Sequence, residues 1–127
     1  MANGKIKADT LEHSTAGSLD TSYVVNGSAK AWVHHDASAV VQNSLNVSGA
    51  TDVGTGLFKS SFTNSLANNS FSAGGLASIS GNYTAMGVDT NNTGFSTGFI
   101  SVVITRTDTG ARVYPPDITS QVYGDLA

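Results

Sequence analysis

The chain has 127 residues, 39% of them hydrophobic and 12% charged, and its six basic and nine acidic residues give a net charge of −3. This length fits one domain, while the hydrophobic content and the low net charge argue against a disordered chain. No basic cluster is present to neutralise a run of phosphates, and no cysteine is present to form a disulfide or a thiolate metal site. Nucleic-acid binding and a disulfide scaffold are therefore excluded.

The first 25 residues differ from the rest of the chain in charge and in apolar content. Residues 4–25 (GKIKADTLEHSTAGSLDTSYVV) hold most of the charge of the first half but lack the apolar bulk for a core of their own. We predict that residues 1–25 form an arm that docks on another molecule, with a disordered leader as the alternative. Since the start has no signal-peptide core and no stretch approaches the roughly 20 apolar residues of a bilayer span, we expect synthesis in a cytoplasm and no membrane insertion.

The remaining residues, 26–127, are predicted to form one β-sandwich. Glycine or a cluster of Asn, Ser and Thr interrupts helical periodicity throughout, so almost no helix is expected. Such polar turns suit extracellular or virion surfaces. Short runs bounded by turn residues indicate six strands, at 29–35, 40–47, 57–63, 76–86, 99–107 and 118–123. The pattern predicts an all-β fold, an antiparallel sandwich of jelly-roll type, with GTG (54–56) and AGG (73–75) as hairpins or bulges.

Alternation within two of these runs predicts which residues face the core. In LFKSSF (57–62), Phe58 and Phe62 share one face, which we expect to be buried. In FISVVI (99–104), the even-numbered residues form one apolar face, while Phe99 and Val103 partly fill the other. A strand that is apolar on both sides is either central or covered by a neighbouring chain. A hairpin turn is expected at 108–110.

The stretch GSAKAWVHH (27–35) raises the question of a metal-binding or catalytic histidine pair. Because His34 and His35 are adjacent, they point to opposite faces of a strand and cannot both ligate one metal ion. His13 and Asp36 could join them only through tertiary contact. We therefore predict no metal site within one chain, although a ring of histidines on a threefold axis stays an alternative.

Catalysis is not indicated by any motif. No GxSxG elbow occurs among the serines, the carboxylates lie mostly beside turn residues, and neither glycine-rich stretch precedes a helix. We predict no enzyme activity, no catalytic residue and no cofactor. Binding of a polysaccharide or protein surface requires only polar loops that carry an aromatic residue. The candidates for binding a host surface are Tyr83, Asp89, Asn91 and Asn92, with ordinary hairpin tips as the alternative.

Three stretches resemble a known module: GSAKAWV (27–33), TDVGTGLFKSSFTNSLANNSF (51–71) and VYGDLA (122–127). Together they resemble a module of tail-fibre and other virion proteins of tailed bacteriophages, especially aquatic and cyanobacterial ones, over residues 26–127. The leader IKADTLEHSTAGS (6–18) looks like the N-terminal attachment segment of short phage fibres. The module commonly has Asn-Phe where this chain has His34 and His35, so His35 is expected to replace an aromatic core contact.

The resemblance implies a noncatalytic virion component that assembles as a homotrimer. The residues it implies for attachment to tail or capsid proteins are Ile6, Lys7, Asp9, Thr10, Leu11 and Glu12. Trp32, Phe99 and Val103 are the expected trimer contacts. The leading hypothesis is a short tail fibre or tail-tip adhesin that displays its loops to a host glycan or protein. A capsid decoration protein, with the same arm clamping coat subunits, is the alternative.

Overall fold

The computed structural model describes residues 8–15, 17–78 and 83–127. Its strands are β1 Thr10–His13, β2 Gly17–Asp20, β3 Ala31–His35, β4 Val41–Leu45, β5 Val47–Gly54, β6 Leu57–Phe62, β7 Ser72–Ser78, β8 Thr84–Val88, β9 Phe95–Ser96, β10 Phe99–Arg106 and β11 Asp117–Tyr123. An α-helix, α1, spans Thr21–Gly27, and a 3-10 helix spans Thr90–Asn92.

Two antiparallel sheets form the body of the molecule. One has the strand order β4-β3-β11-β7, and the other has the order β5-β6-β10-β8 with β9 paired to the end of β10. Their inner faces share one hydrophobic core, to which β3 and β11 contribute from one sheet and β6 and β10 from the other. The predicted all-β antiparallel sandwich is therefore confirmed.

The core follows the alternation in the sequence. Phe58 and Phe62 are buried, and so are the even-numbered residues of β10, with Ile104 fully enclosed. Phe62 packs edge-on against Phe71, and Phe71 packs against Phe95, with ring centroids 6.1 Å and 5.1 Å apart. Burying a side chain of this size contributes about 1.5–3 kcal/mol, so this inner layer dominates the stability of the fold.

Two predicted strands differ from those observed. The run 40–47 ends at Leu45 because Asn46 takes a left-handed conformation (φ 53°), and a new strand, β5, begins at Val47. The run 76–86 contains parts of β7 and β8, which belong to different sheets. The two strands meet where the Thr84 hydroxyl donates to the carbonyl of Ala77 at 2.6 Å.

The glycine pairs behave differently from each other. Gly54 and Gly56 flank the turn between β5 and β6, and Gly56 has a φ of 65°, as the hairpin prediction requires. In contrast, AGG (73–75) lies inside β7. A Cβ on Gly75 would lie 2.3 Å from the Met86 side chain and 2.3 Å from the backbone oxygen of Thr119, so glycine lets β8 approach β7 closely.

The N-terminal part that the structure describes forms a separate two-stranded sheet followed by α1. Thr10 pairs with Asp20 and Leu11 pairs with Leu19 across the hairpin. The helix was not expected; it begins because the carboxylate of Asp20 accepts a hydrogen bond from the backbone N–H of Ser22 at 2.7 Å. This contact lowers the pKa of Asp20.

Candidate functional site

The four loop residues predicted to bind a host surface do not form one site. Tyr83 precedes β8 and Asp89 follows it, so the two residues lie at opposite ends of a strand of five residues. At about 3.3 Å per residue they are roughly 20 Å apart. Asn91 and Asn92 lie with Asp89, in the 3-10 helix. A single binding surface therefore cannot contain both Tyr83 and Asp89 as neighbours.

Asp89 has a structural position rather than a surface one. It is only 5% exposed, and its carboxylate accepts a hydrogen bond from the backbone N–H of Asn91 at 3.2 Å, which caps the 3-10 helix. Its own backbone N–H donates to the carbonyl of Ser101 in β10 at 3.0 Å. This agrees with the alternative that the sequence left open, an ordinary loop tip, and we do not include Asp89 in a binding surface.

Tyr83 is highly accessible, with 85% of the residue exposed. Its carbonyl accepts a hydrogen bond from the backbone N–H of Thr107 at 3.0 Å, which places it beside the hairpin that follows β10. On that hairpin the guanidinium of Arg106 donates to the carboxylate of Asp108 at 2.6 Å. The backbone of Tyr83 therefore lies beside Thr107, the residue between the two members of the Arg106–Asp108 ion pair.

We call Tyr83, Arg106, Thr107 and Asp108 the Tyr83 surface. Hydrogen bonding to Arg106 lowers the pKa of Asp108, and the same contact raises the pKa of Arg106, so both groups stay charged near neutral pH. The combination of aromatic ring, hydroxyl and both signs of charge can contact a sugar or a polar protein surface. Sequence reasoning missed Arg106 and Asp108 because their position relative to Tyr83 follows from the pairing of β8 with β10, in which Arg106 lies opposite Thr84.

The two histidines of β3 lie on opposite faces, as predicted. His34 is on the outer face, where its Nε2 lies 3.2 Å from the Asp117 carboxylate. His35 is completely buried, with its ring centroid 5.1 Å from that of Phe58. The expectation that His35 supplies an aromatic core contact fits this position. Among the described residues, no group of three or more His, Cys, Asp or Glu side chains is arranged to hold a metal ion.

The residues expected to form the trimer contact lie on two different surfaces. Trp32 is on the outer face of the sheet that contains β3, whereas Phe99 and Val103 are on the outer face of the sheet that contains β10. Trp32 therefore does not lie on the same face of the subunit as Phe99 and Val103.

The residues implied for attachment lie in or before the N-terminal hairpin. Ile6 and Lys7 are outside the described residues. Asp9, Thr10, Leu11 and Glu12 are exposed in or next to β1. Leu11 and its cross-strand partner Leu19 are 47% and 46% exposed, and Tyr23 in α1 is 68% exposed. This segment presents apolar side chains to its surroundings. In the described part of the chain, no helix has the length and apolar character needed to cross a membrane.

Two substitutions distinguish the structural role of Asp89 from the exposed position of Tyr83. Asp89→Ala removes the cap of the 3-10 helix, and we expect the free energy of unfolding to fall by about 1 kcal/mol. Tyr83→Ala removes an exposed side chain, and we expect a change within about 0.5 kcal/mol. Urea denaturation of each variant measures its free energy of unfolding. Equal unfolding free energies for Asp89→Ala and the unsubstituted protein would contradict the structural role.

No protein-family model matches the chain, no curated protein matches it, and no solved structure matches its fold. The likeness to virion modules therefore rests on the quoted motifs alone. The positions of the side chains described above are the basis for the function proposed next.

Proposed function

We propose that the chain is a noncatalytic structural protein of a bacteriophage virion, a short tail fibre or tail-tip adhesin. Its N-terminal segment attaches it to the particle, and its β-sandwich displays a recognition surface to the host. The observation that carries the proposal is the contrast between two parts of the chain. The sandwich has a core of buried apolar side chains, although some of its apolar residues, such as Leu76, are also exposed, whereas the hairpin and α1 expose Leu11, Leu19 and Tyr23 and α1 has no buried residue.

The N-terminal segment supports the attachment role through its size and its exposed residues. An isolated two-stranded hairpin is marginally stable at best in water, and a helix of seven residues is too short to be stable alone. None of the residues of α1 is buried. Leu11, Leu19 and Tyr23 would lose their water-exposed apolar area on a partner, at about 25 cal/mol per Å². A tail or capsid protein is the partner that the resemblance suggests.

The sandwich supports the display role because its loops are held by a rigid core. The Tyr83 surface lies where β8 begins and β10 ends, two strands that pair over five residue positions from Val102 to Arg106. A host-surface glycan or protein is the proposed ligand of this surface. The resemblance also suggests three copies per fibre, with Trp32, Phe99 and Val103 as the proposed contacts on two faces of the subunit.

The first test addresses attachment. Leu11→Asp combined with Leu19→Asp places two charges on the apolar side of the hairpin, and we expect the protein to disappear from purified particles while its urea midpoint stays unchanged. The matched control is Val40→Asp with Val53→Asp, which adds the same charges to exposed valines of the sandwich. Mass spectrometry of particles grown with each variant measures incorporation. Normal incorporation of the hairpin variant would contradict the attachment role.

The second test separates the adhesin from a capsid decoration protein. Purified protein should block phage adsorption to host cells, and Tyr83→Ala should weaken this block at least tenfold. Tyr23→Ala, an exposed tyrosine of the N-terminal segment, serves as the control and should leave the block unchanged. Hundreds of copies per particle together with no effect on adsorption would instead favour decoration of the capsid.

A further inference from the structure

A buried histidine lies at the end of β3, between the two sheets. His35 has no exposed surface, and its ring packs against Phe58 of β6. Its backbone pairs with Ile118 of β11 on one side and with Val41 of β4 on the other. The imidazole is therefore enclosed by the sheet to which it belongs and by the sheet across the core.

The hydrogen bonds of the ring define its protonation state. Nδ1 lies 2.9 Å from the backbone carbonyl of Asp36, and because a carbonyl can only accept, Nδ1 carries the proton. Nε2 is buried and has no hydrogen-bond partner among the described residues. The ring is thus a neutral tautomer in the folded chain. A second proton on Nε2 would create a buried charge and a buried donor without an acceptor.

The same carbonyl belongs to the turn that joins β3 to β4, which we call the β3–β4 corner (residues 36–40). The carbonyl of Asp36 also accepts the N–H of Ala39 at 3.0 Å, and the Asp36 carboxylate accepts the N–H groups of Ser38 and Val40, both at 2.9 Å. Ala39 has a φ of 60°, so the turn depends on these bonds to hold a left-handed residue. The ring and the corner therefore share one backbone group.

The charged and titratable groups around the ring come from several elements. On its own strand and corner, His34 and Asp36 are adjacent in sequence. Asp117 of β11 contacts His34 on the outer face, and Lys59 of β6 follows Phe58 with its ammonium over the Phe99 ring. The ring of Tyr114 packs against the ring of Phe58, and the centroids of these two rings are 6.1 Å apart.

Burial has the largest effect on the pKa of His35, and it lowers that pKa. The backbone carbonyl and the carboxylate of Asp36 oppose this effect, while His34 adds to it. Below about pH 6.5 the unfolded chain binds a proton that the folded chain does not. The stability that depends on the neutral ring is therefore complete above that pH and is lost as the pH falls.

We propose that the β3–β4 corner is an acid-sensitive lock, in which protonation of His35 at Nε2 puts an unpaired charge in the core, the ring leaves its buried position, and the two sheets separate at that end. The lock is independent of the virion role proposed above. It gives the sandwich a closed form at neutral pH and a loosened form in acid. Histidine is the side chain whose unperturbed pKa lies between pH 5.5 and 7.5, so this window reports on histidine.

Nuclear magnetic resonance on the unsubstituted chain tests the lock. The His35 ring should titrate below the ordinary histidine value. The amide protection factors of Ser38 and Val40, corrected for intrinsic exchange, should fall by up to tenfold per pH unit below 6.5, which corresponds to about 1.4 kcal/mol. Titration of His35 at or above the ordinary value, or unchanged protection at the corner, would overturn the proposal.

Two variants assign the effect to one ring. His35→Phe keeps an aromatic ring against Phe58 and should remove the fall in the urea midpoint between pH 7.5 and 5.5. His34→Gln changes the adjacent exposed histidine and should retain that fall. A fall that persists in His35→Phe, or that disappears in His34→Gln, contradicts the lock. If His35→Phe does not fold, the ring titration of the unsubstituted chain decides alone.

Discussion

The structure depends on the burial of two sheet faces against each other. Phe58 lies at the centre of this contact, where its ring meets His35 of the opposite sheet and Tyr114 of the chain segment before β11. The fully buried Ile104 and Ile118 lie in the same core, one from each sheet. Because the chain has no cysteine, no disulfide assists this contact. The positions of every loop and of both sheet edges follow from how these inner faces fit.

Because the buried core holds the sandwich together, the sandwich and the N-terminal segment can have different roles in the proposed function. The core strands hold loops such as the Tyr83 surface in place without taking part in recognition, and they tolerate a polar group only where it is bonded or held neutral, as at His35. The hairpin and α1 lie outside the core and expose Leu11, Leu19 and Tyr23. A sandwich with a buried core and a segment with exposed apolar side chains are what the proposed attachment role requires.

Much of the fold was predictable from the sequence because burial on one face leaves a period of two. The faces of β6 and β10 and the opposite orientations of His34 and His35 were all read from alternation. Prediction from the sequence failed at positions where tertiary contacts, rather than local sequence signals, determine the structure. The glycines of β7 indicate a turn in isolation, yet they allow the close approach of Met86. The position of Tyr83 beside Thr107 depends on the pairing of β8 with β10, and the burial of Asp89 depends on packing against β10, so neither had a sequence signal.

Amide hydrogen exchange of the isolated full-length protein at neutral pH tests the central claim most directly, because it reports stability residue by residue. The account predicts the slowest exchange in β3, β6, β10 and β11, whose inner faces form the core, and little protection in β1, β2 and α1, for which we propose ordering by a partner in the particle. Protection of the N-terminal hairpin and α1 equal to that of β10 would contradict it, because that segment would then be part of the stable sandwich.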